Sequence, residues 1–443
     1  MGEGLSALEV LRERLISGAE TPAEVMVEAQ MWADQGAAEL AAAAGEGVHP
    51  GGTYLWRDAE AAVRYAETLP ERFPVAASRP LLYGVPVSVK DCFDLAGTVT
   101  SCGSRFYAEL HAPATENAWI VDRLLAAGAV VTGKTHLHQL AYGITGENEE
   151  YGDCLQPRDR GLLTGGSSSG AVASVQEGSA MVAVGTDTGG SVRVPAALCG
   201  MAGYRASHGL FPEEVCWKGG AHLAQSFDTL GLLFSDLRDG PVLGSAVFGL
   251  ERAAAPSGVR IGFVGDEFLT DCEADVMAAY AAWKLRFEAC GVALEQFETE
   301  FWGESKEIFT TIQASEAAAL HRGYFDRFEK TIGERLAWGA SLTANEIAGM
   351  HRRHEAFCAR MTELFDRHDF LVLPCAPVSR LVAGEDQSGA RARILRYTSP
   401  ISLAGLPTVT LPGEAVGDHF GTGVQLVGKK GRDAELLAFA AAI

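Results

Sequence analysis

The sequence contains no run of about 18 apolar residues, so no membrane-spanning helix is expected. Positive charge is scarce: 36 Lys and Arg stand against 57 Asp and Glu, a formal net charge of −21. That balance argues against broad binding to nucleic acid or to an anionic membrane surface. The nine cysteines, odd in number and without a C-x-x-C pair, do not look like a disulfide framework or a zinc site. No dinucleotide fingerprint, metal-ligand cluster or internal repeat is visible, so no cofactor and no metal are expected. The opening stretch MGEGLSALEVLRERL is acidic and amphipathic without a cleavable signal pattern, and a reducing cytoplasm is the expected compartment.

What is present is a 443-residue chain, 47% hydrophobic and rich in glycine, long enough to bury a large core. Apolar positions recur at helical spacing from Ser6 to about Ala44. Thr21-Pro22-Ala23-Glu24 has the form of a helix start, with Pro at the first helical position and Glu at the third. Gly45 to Thr53 is a turn-rich break, and Trp56 to Leu69 reads as a third helix. The run Leu81 to Lys90, LLYGVPVSVK, reads as a strand that ends in a lysine. Such a lysine is either an ordinary surface residue or a partly buried amine of lowered pKa, able to act as a base.

Asn117 to Ala127 reads as a helix and Ala129 to Thr132 as a strand. Gly128 to Thr135 formally matches the phosphate-loop pattern G-x-x-x-x-G-K-[ST], but β-branched strand residues fill the space where an open loop is needed. No nucleotide is therefore expected. Tyr142 to Leu163 reads as a polar, turn-rich loop of the kind that lines sites. Asp271 to about Arg367 carries helical patterns with charged faces, and the last part alternates strands with Gly/Pro turns, including Thr398 to Pro412. Ser388 to Arg396 is basic and turn-prone.

The chain centres on Thr164 to Pro195. Two Gly-Gly-Ser turns, Gly165-Gly166-Ser167 and Gly189-Gly190-Ser191, bracket a short helix (Gly170 to Gly178) and a small-residue strand (Ala180 to Gly185). One such turn alone is an ordinary helix cap. Two in one unit, the second followed by Val-Arg-Val-Pro, form a composite. This composite resembles the amidase signature family, through Gly166-Ser167-Ser168-Ser169-Gly170 and Gly185-Thr-Asp-Thr-Gly-Gly-Ser-Val-Arg-Val-Pro195. The Gly-Val-Pro-x-x-x-Lys-Asp run ending at Lys90 and Asp91 fits the same family, and the resemblance covers most of the chain.

The resemblance implies an α/β/α fold in one domain: a central twisted mixed sheet flanked by helices, with a helical excursion. Its parts would be N-terminal helices (1–75), a catalytic core (80–250), the excursion (270–367) and a C-terminal part of the sheet (368–443). It implies an amide hydrolase with Ser191 as nucleophile, Ser167 after a cis peptide as bridge and Lys90 as base. The backbone amides of Thr188, Gly189, Gly190 and Ser191 would form the oxyanion hole. Asp187 and Arg193 would brace the loop, with Ser168 and Ser169 donating supporting hydrogen bonds. His136, His138 and His208 read as structural, because the lysine already supplies the base.

A small amide is the expected substrate, taken by a monomer or homodimer, with esters and carbamates open to the same acyl-enzyme chemistry. Tyr142, Gly143, Ile144, Thr145 and Phe211, with Phe309, Ile312 and Tyr324, read as a mostly apolar pocket suited to aryl or alkyl amides. One alternative is the glutamine-hydrolysing subunit of a tRNA-dependent amidotransferase, although Gly203 to Phe211 departs from the family's Lys-Pro-Thr-x-Gly-Arg run. Another is an α/β-hydrolase esterase, since Gly166 to Gly170 also matches G-x-S-x-G with Ser168 as nucleophile; the polar residues before it make a poor core strand.

Overall fold

A computed structural model of the chain describes residues 4–43, 50–413 and 421–443. Most of the break read at Gly45 to Thr53 lies outside the described residues. Thr21 starts its helix as the sequence suggests: its hydroxyl accepts the Glu24 amide at 3.2 Å while its own amide donates to the Glu24 carboxylate at 2.9 Å.

Eleven strands form the main sheet. In chain order they are β1 (Tyr54–Trp56), β2 (Pro86–Lys90), β3 (Val130–Thr135), β4 (Val182–Thr186), β5 (Ala202–Arg205), β6 (Leu230–Phe234), β7 (Arg260–Val264), β8 (Ala293–Phe297), β9 (Phe370–Pro374), β10 (Thr408–Leu411) and β11 (Val424–Gly428). Their spatial order is β8-β7-β9-β11-β10-β5-β6-β4-β2-β3-β1. Neighbours are parallel at β8–β7–β9 and β4–β2–β3, and antiparallel elsewhere, so the sheet is mixed as expected. The apolar runs PVSVK, VAVGT, LGLLF and FLVLP are buried along their whole length, which is why they read as continuous rather than alternating. Helices cover the sheet; Ser169–Glu177 packs on β2, β3, β4 and β6.

Four features differ from the sequence reading. Gly133-Lys134-Thr135 continues β3, so the phosphate-loop match lies inside a strand. The loop after Tyr142 contains a hairpin, Asp153–Gln156 with Asp159–Leu163, which joins Pro50–Gly51 in a separate three-stranded sheet. The helical excursion contributes a strand, β8, at the sheet edge; its alternation is blurred because most of its side chains face solvent. Ala390–Leu403 is a helix, although Ser388 to Arg396 reads as turn-prone and Thr398 to Pro412 as strand and turn. Its Pro400 and β-branched residues disguise a helix held by burial, with Ile394, Leu395 and Tyr397 to Leu403 all inside.

Parallel pairing of β2 with β4 (Val87 to Val182, Val89 to Val184) brings their C-terminal ends to one edge of the sheet. Lys90 ends β2 there, and the loop Asp187 to Ser191 leaves β4 beside it.

Candidate active site

The two Gly-Gly-Ser turns meet through their backbones, the Ser168 amide donating to the Ser191 carbonyl at 3.2 Å. The Gly166–Ser167 peptide is cis. Lys90 is fully buried, and its Nζ donates to Ser167 Oγ and to Thr186 Oγ1, each at 2.8 Å. Burial pushes the Lys90 amine down to about 8, against the opposing pull of the Asp187 and Asp228 carboxylates. Ser191 is 5% exposed, and among the described residues its hydroxyl has no hydrogen-bond partner.

The loop hangs on Asp187. Its carboxylate accepts the amides of Gly190 (2.9 Å), Val192 (3.1 Å) and Arg193 (3.3 Å), and both Arg193 and Arg205 pair with it at 2.9 Å. Burial alone would raise the Asp187 carboxyl, but the two guanidiniums and the amides hold it well below the usual carboxylate range. Arg193 also donates to Gln425 Oε1 on β11 and to Ser402 Oγ, tying the loop to distant chain segments. The Gly190 amide thus points at Asp187, a correction to the expectation that it faces an oxyanion. Among the described residues the amides of Thr188, Gly189 and Ser191 have no acceptor, so three donors remain.

Gly190 has φ +122, and a Cβ there would stand 2.9 Å from Thr398 Cγ2; both facts call for glycine. A Cβ on Gly189 would stand 2.7 Å from the Phe309 ring and 3.2 Å from Leu395. Phe309 of the helix Ser305–Leu320, and Leu395 and Thr398 of the helix Ala390–Leu403, therefore form the wall of the loop.

Ser168 Oγ donates to the Thr186 carbonyl at 3.2 Å, and the strand before it lies outside the main sheet, so it lacks the setting of an α/β-hydrolase nucleophile. His136 Nε2 faces the Gly152 carbonyl and its Nδ1 faces Ser169 Oγ, each at 2.8 Å. Burial pushes His136 down to about 4. His208 Nε2 faces the Gln225 carbonyl at 3.0 Å. Both rings have structural partners.

A cavity of about 480 Å³ lies beside the turn that carries Ser167, lined by Gly143, Ile144 and Thr145, by His138, Arg335 and Arg391, and by the acidic Glu147, Glu149, Asp153, Glu329 and Asp386 among others. The Ile144 carbonyl accepts the Gly166 amide at 2.8 Å, and the Ser167 carbonyl accepts the His138 amide at 3.3 Å. One wall of the cavity is thus bonded to the turn that carries Ser167. Arg391 supplies another wall, four residues and about 6 Å of helix rise before Leu395, which packs on Gly189. Tyr142 is buried, with the Arg335 and Arg391 guanidiniums each 5.7 Å from its ring centre. Arg335 donates to the Tyr142 carbonyl at 2.7 Å and Arg391 to Gln313 Oε1 at 2.9 Å.

The cavity is therefore charged, which corrects the apolar pocket read from the sequence. Burial and the neighbouring Arg335 lower Arg391 to about 10; burial among Glu147, Glu149 and Glu150 pushes Glu329 up to about 7. Phe211 belongs elsewhere, packed on Trp119 at 4.9 Å within an aromatic cluster with Phe248. Tyr324 is exposed and packs on Phe106, while Ile312 is buried in the core. The sequence reading missed Arg335 and Arg391. Arg391, Leu395 and Thr398 do stand at i, i+4 and i+7, the spacing of one helical face.

Comparison with known proteins places this mixed sheet and its glycine–serine loops among hydrolases of amide C–N bonds. The chain belongs to the Amidase family, whose profile matches residues 46–437. It is similar to one subunit of the glutamyl-tRNA(Gln) amidotransferase of Symbiobacterium thermophilum, 30% identical over 406 residues that cover 81% of this chain and 82% of that protein. It is also similar to a 2-amino-5-chloromuconic acid deaminase of Comamonas testosteroni, 31% identical over 82% of this chain and 81% of the relative. A solved amidase structure superposes with a TM-score of 0.86 at 28% identity, covering 98% of each chain. Among the described residues no helix is long and apolar enough to cross a membrane.

Proposed function

We propose that the protein hydrolyses a small amide that carries a carboxylate, through an acyl-enzyme on Ser191. The observation that carries the chemistry is the buried Lys90 Nζ within 2.8 Å of Ser167 Oγ, beside the loop that presents Ser191. Lys90, as the neutral amine, takes the proton of Ser167 as Ser167 takes that of Ser191. Ser191 Oγ then bonds to the amide carbon, and the amides of Thr188, Gly189 and Ser191 meet the oxyanion. The C–N bond breaks as the proton passes back through Ser167 to the departing nitrogen. Water, deprotonated by the same relay, attacks the acyl carbon; Ser191 leaves with the returned proton, and a carboxylic acid is released.

Arg335 and Arg391, flanking Tyr142 in the adjoining cavity, support the carboxylate, since paired guanidiniums suit planar anions. The chloromuconic acid deaminase, named for an acid, agrees. We read the chain as acting alone, as a monomer or homodimer, in the cytoplasm. The second reading is the glutamine-hydrolysing subunit of an amidotransferase, favoured by the amidotransferase relative.

The test is a panel of amides supplied to the purified chain: succinamate, butyramide, benzamide and glutamine, with a carbamate and an ester alongside. Succinamate is expected to be turned over best, and Arg335→Gln and Arg391→Gln to remove that preference. Hydrolysis of glutamine alone, and only with an added partner protein, would overturn the proposal.

A further inference from the structure

His138 is the one histidine of the site whose ring remains unexplained. It lines the same cavity as Arg335 and Arg391, and its exposure is only 7%. Nδ1 is enclosed, and neither ring nitrogen has a hydrogen-bond partner among the described residues. A ring that fills space would not need to be polar. The backbone fixes it: its amide donates to the Ser167 carbonyl at 3.3 Å, so it moves with the turn that carries the bridging serine.

Gly143 makes room for the ring. A Cβ at that position would lie 2.0 Å from His138 Nε2 and 2.1 Å from Cδ2 and Cε1, a complete overlap. The ring therefore lies flat against the Gly143 backbone, in space that any other residue would take. Burial first, then the charges of Arg335 and Arg391, His136 and Lys90, all oppose its protonation and push it down to about 3. It is an uncharged imidazole with one N–H to give, in a cavity whose two guanidiniums, Arg335 and Arg391, share the lining with the carboxyl groups of Glu147, Glu149, Asp153, Glu329 and Asp386.

We infer that His138 contacts the substrate, donating a ring N–H to the carboxylate that Arg335 and Arg391 attract, and so sets the preference for acidic over neutral amides. This rests on the carboxylate reading above. A neutral donor adds direction to the two guanidiniums: it favours an acceptor oxygen at one place without adding a third charge.

The test measures kcat and KM for succinamate and for butyramide, and the protection that succinate gives Ser191 against a fluorophosphonate. His138→Leu keeps the bulk and removes the hydrogen bond. It is expected to raise KM for succinamate far more than kcat changes, lowering the succinamate-to-butyramide selectivity by about 10- to 100-fold, the range for one hydrogen bond to a charged group. His138→Asn, which retains an N–H, is expected to recover part of that selectivity. Succinate should protect the wild type and protect His138→Leu only at higher concentration. Protection of both alike would overturn the role of His138 while leaving the carboxylate reading in place. Failure of succinate to protect the wild type, with no preference for succinamate, would overturn the carboxylate reading and the inference with it. An equal loss on both substrates, or a fall in kcat alone, would make His138 a structural residue.

Discussion

Asp187 Oδ1 accepts the Gly190 amide at 2.9 Å, so the loop bearing Ser191 is folded around a buried carboxylate. The same carboxylate meets Arg193 and Arg205, both wholly buried. Without it, the two buried guanidiniums would have no ion-pair partner among the described residues. The shape of the reactive loop and the stability of the sheet centre therefore depend on one residue.

Asp187→Asn is expected to destabilise the protein by about 3–5 kcal/mol, the cost of leaving buried charge uncompensated. Urea unfolding measures it. Because the folded carboxyl is held low, the stability it contributes is fully present above the ordinary Asp pKa of about 3.9 and is lost as pH falls further. Wild type should thus lose stability below about pH 4 more steeply than the Asn variant.

In the proposed mechanism Lys90 acts as a base only when neutral, and burial brings its amine down to about 8. The kcat/KM profile should accordingly rise with pH and level off above a midpoint near 8. Lys90→Ala should lower kcat by about 10²- to 10⁴-fold and abolish that limb. A flat profile in the wild type would show that the lysine does not take the proton.

Gly190→Ala places a Cβ against Thr398 at a backbone angle that side chains rarely adopt. The expected cost is about 1–3 kcal/mol, with a loss of activity larger than the loss of fold, because the strain falls on the loop itself. Comparing residual kcat with the unfolding midpoint separates the two.

His136→Ala would leave the Gly152 carbonyl without its partner and the Ser169 hydroxyl with only the backbone carbonyl of residue 136, at 3.4 Å. A loss of about 1–3 kcal/mol in stability is expected, with the pH profile unchanged in shape. A shift of the midpoint near 8 would instead show that this imidazole takes part in proton transfer.

Much of the architecture could be read in the chain because its signals are local. PVSVK and VAVGT are short apolar runs with no alternation, so both announce strands buried on two faces, and Lys90 and Thr186 sit at their ends. The Gly-Gly-Ser turns are legible for the same reason: the close approaches around Gly189 and Gly190 admit little else. The pocket was not legible. Arg335 and Arg391 lie in helices far along the chain, where an arginine on an amphipathic helix looks like any solvated charge. Packing of Leu395 on Gly189 and of Thr398 on Gly190 brings the Arg391 helix to the loop, and Arg335 reaches the cavity through its bond to the Tyr142 carbonyl. Phe211 misled in the opposite way, as an aromatic near the loop in sequence whose ring is claimed by Trp119 and Phe248. Ala390–Leu403 was obscured by Pro400, which sits inside the helix.

The central claim is that Ser191 is the nucleophile and depends on Lys90. Peptide mass spectrometry after treatment with a fluorophosphonate tests it most directly. One adduct is expected, on the peptide carrying Ser191, formed in the wild type and lost in Lys90→Ala. An adduct on Ser168, or one on Ser191 that forms equally fast without Lys90, would contradict it.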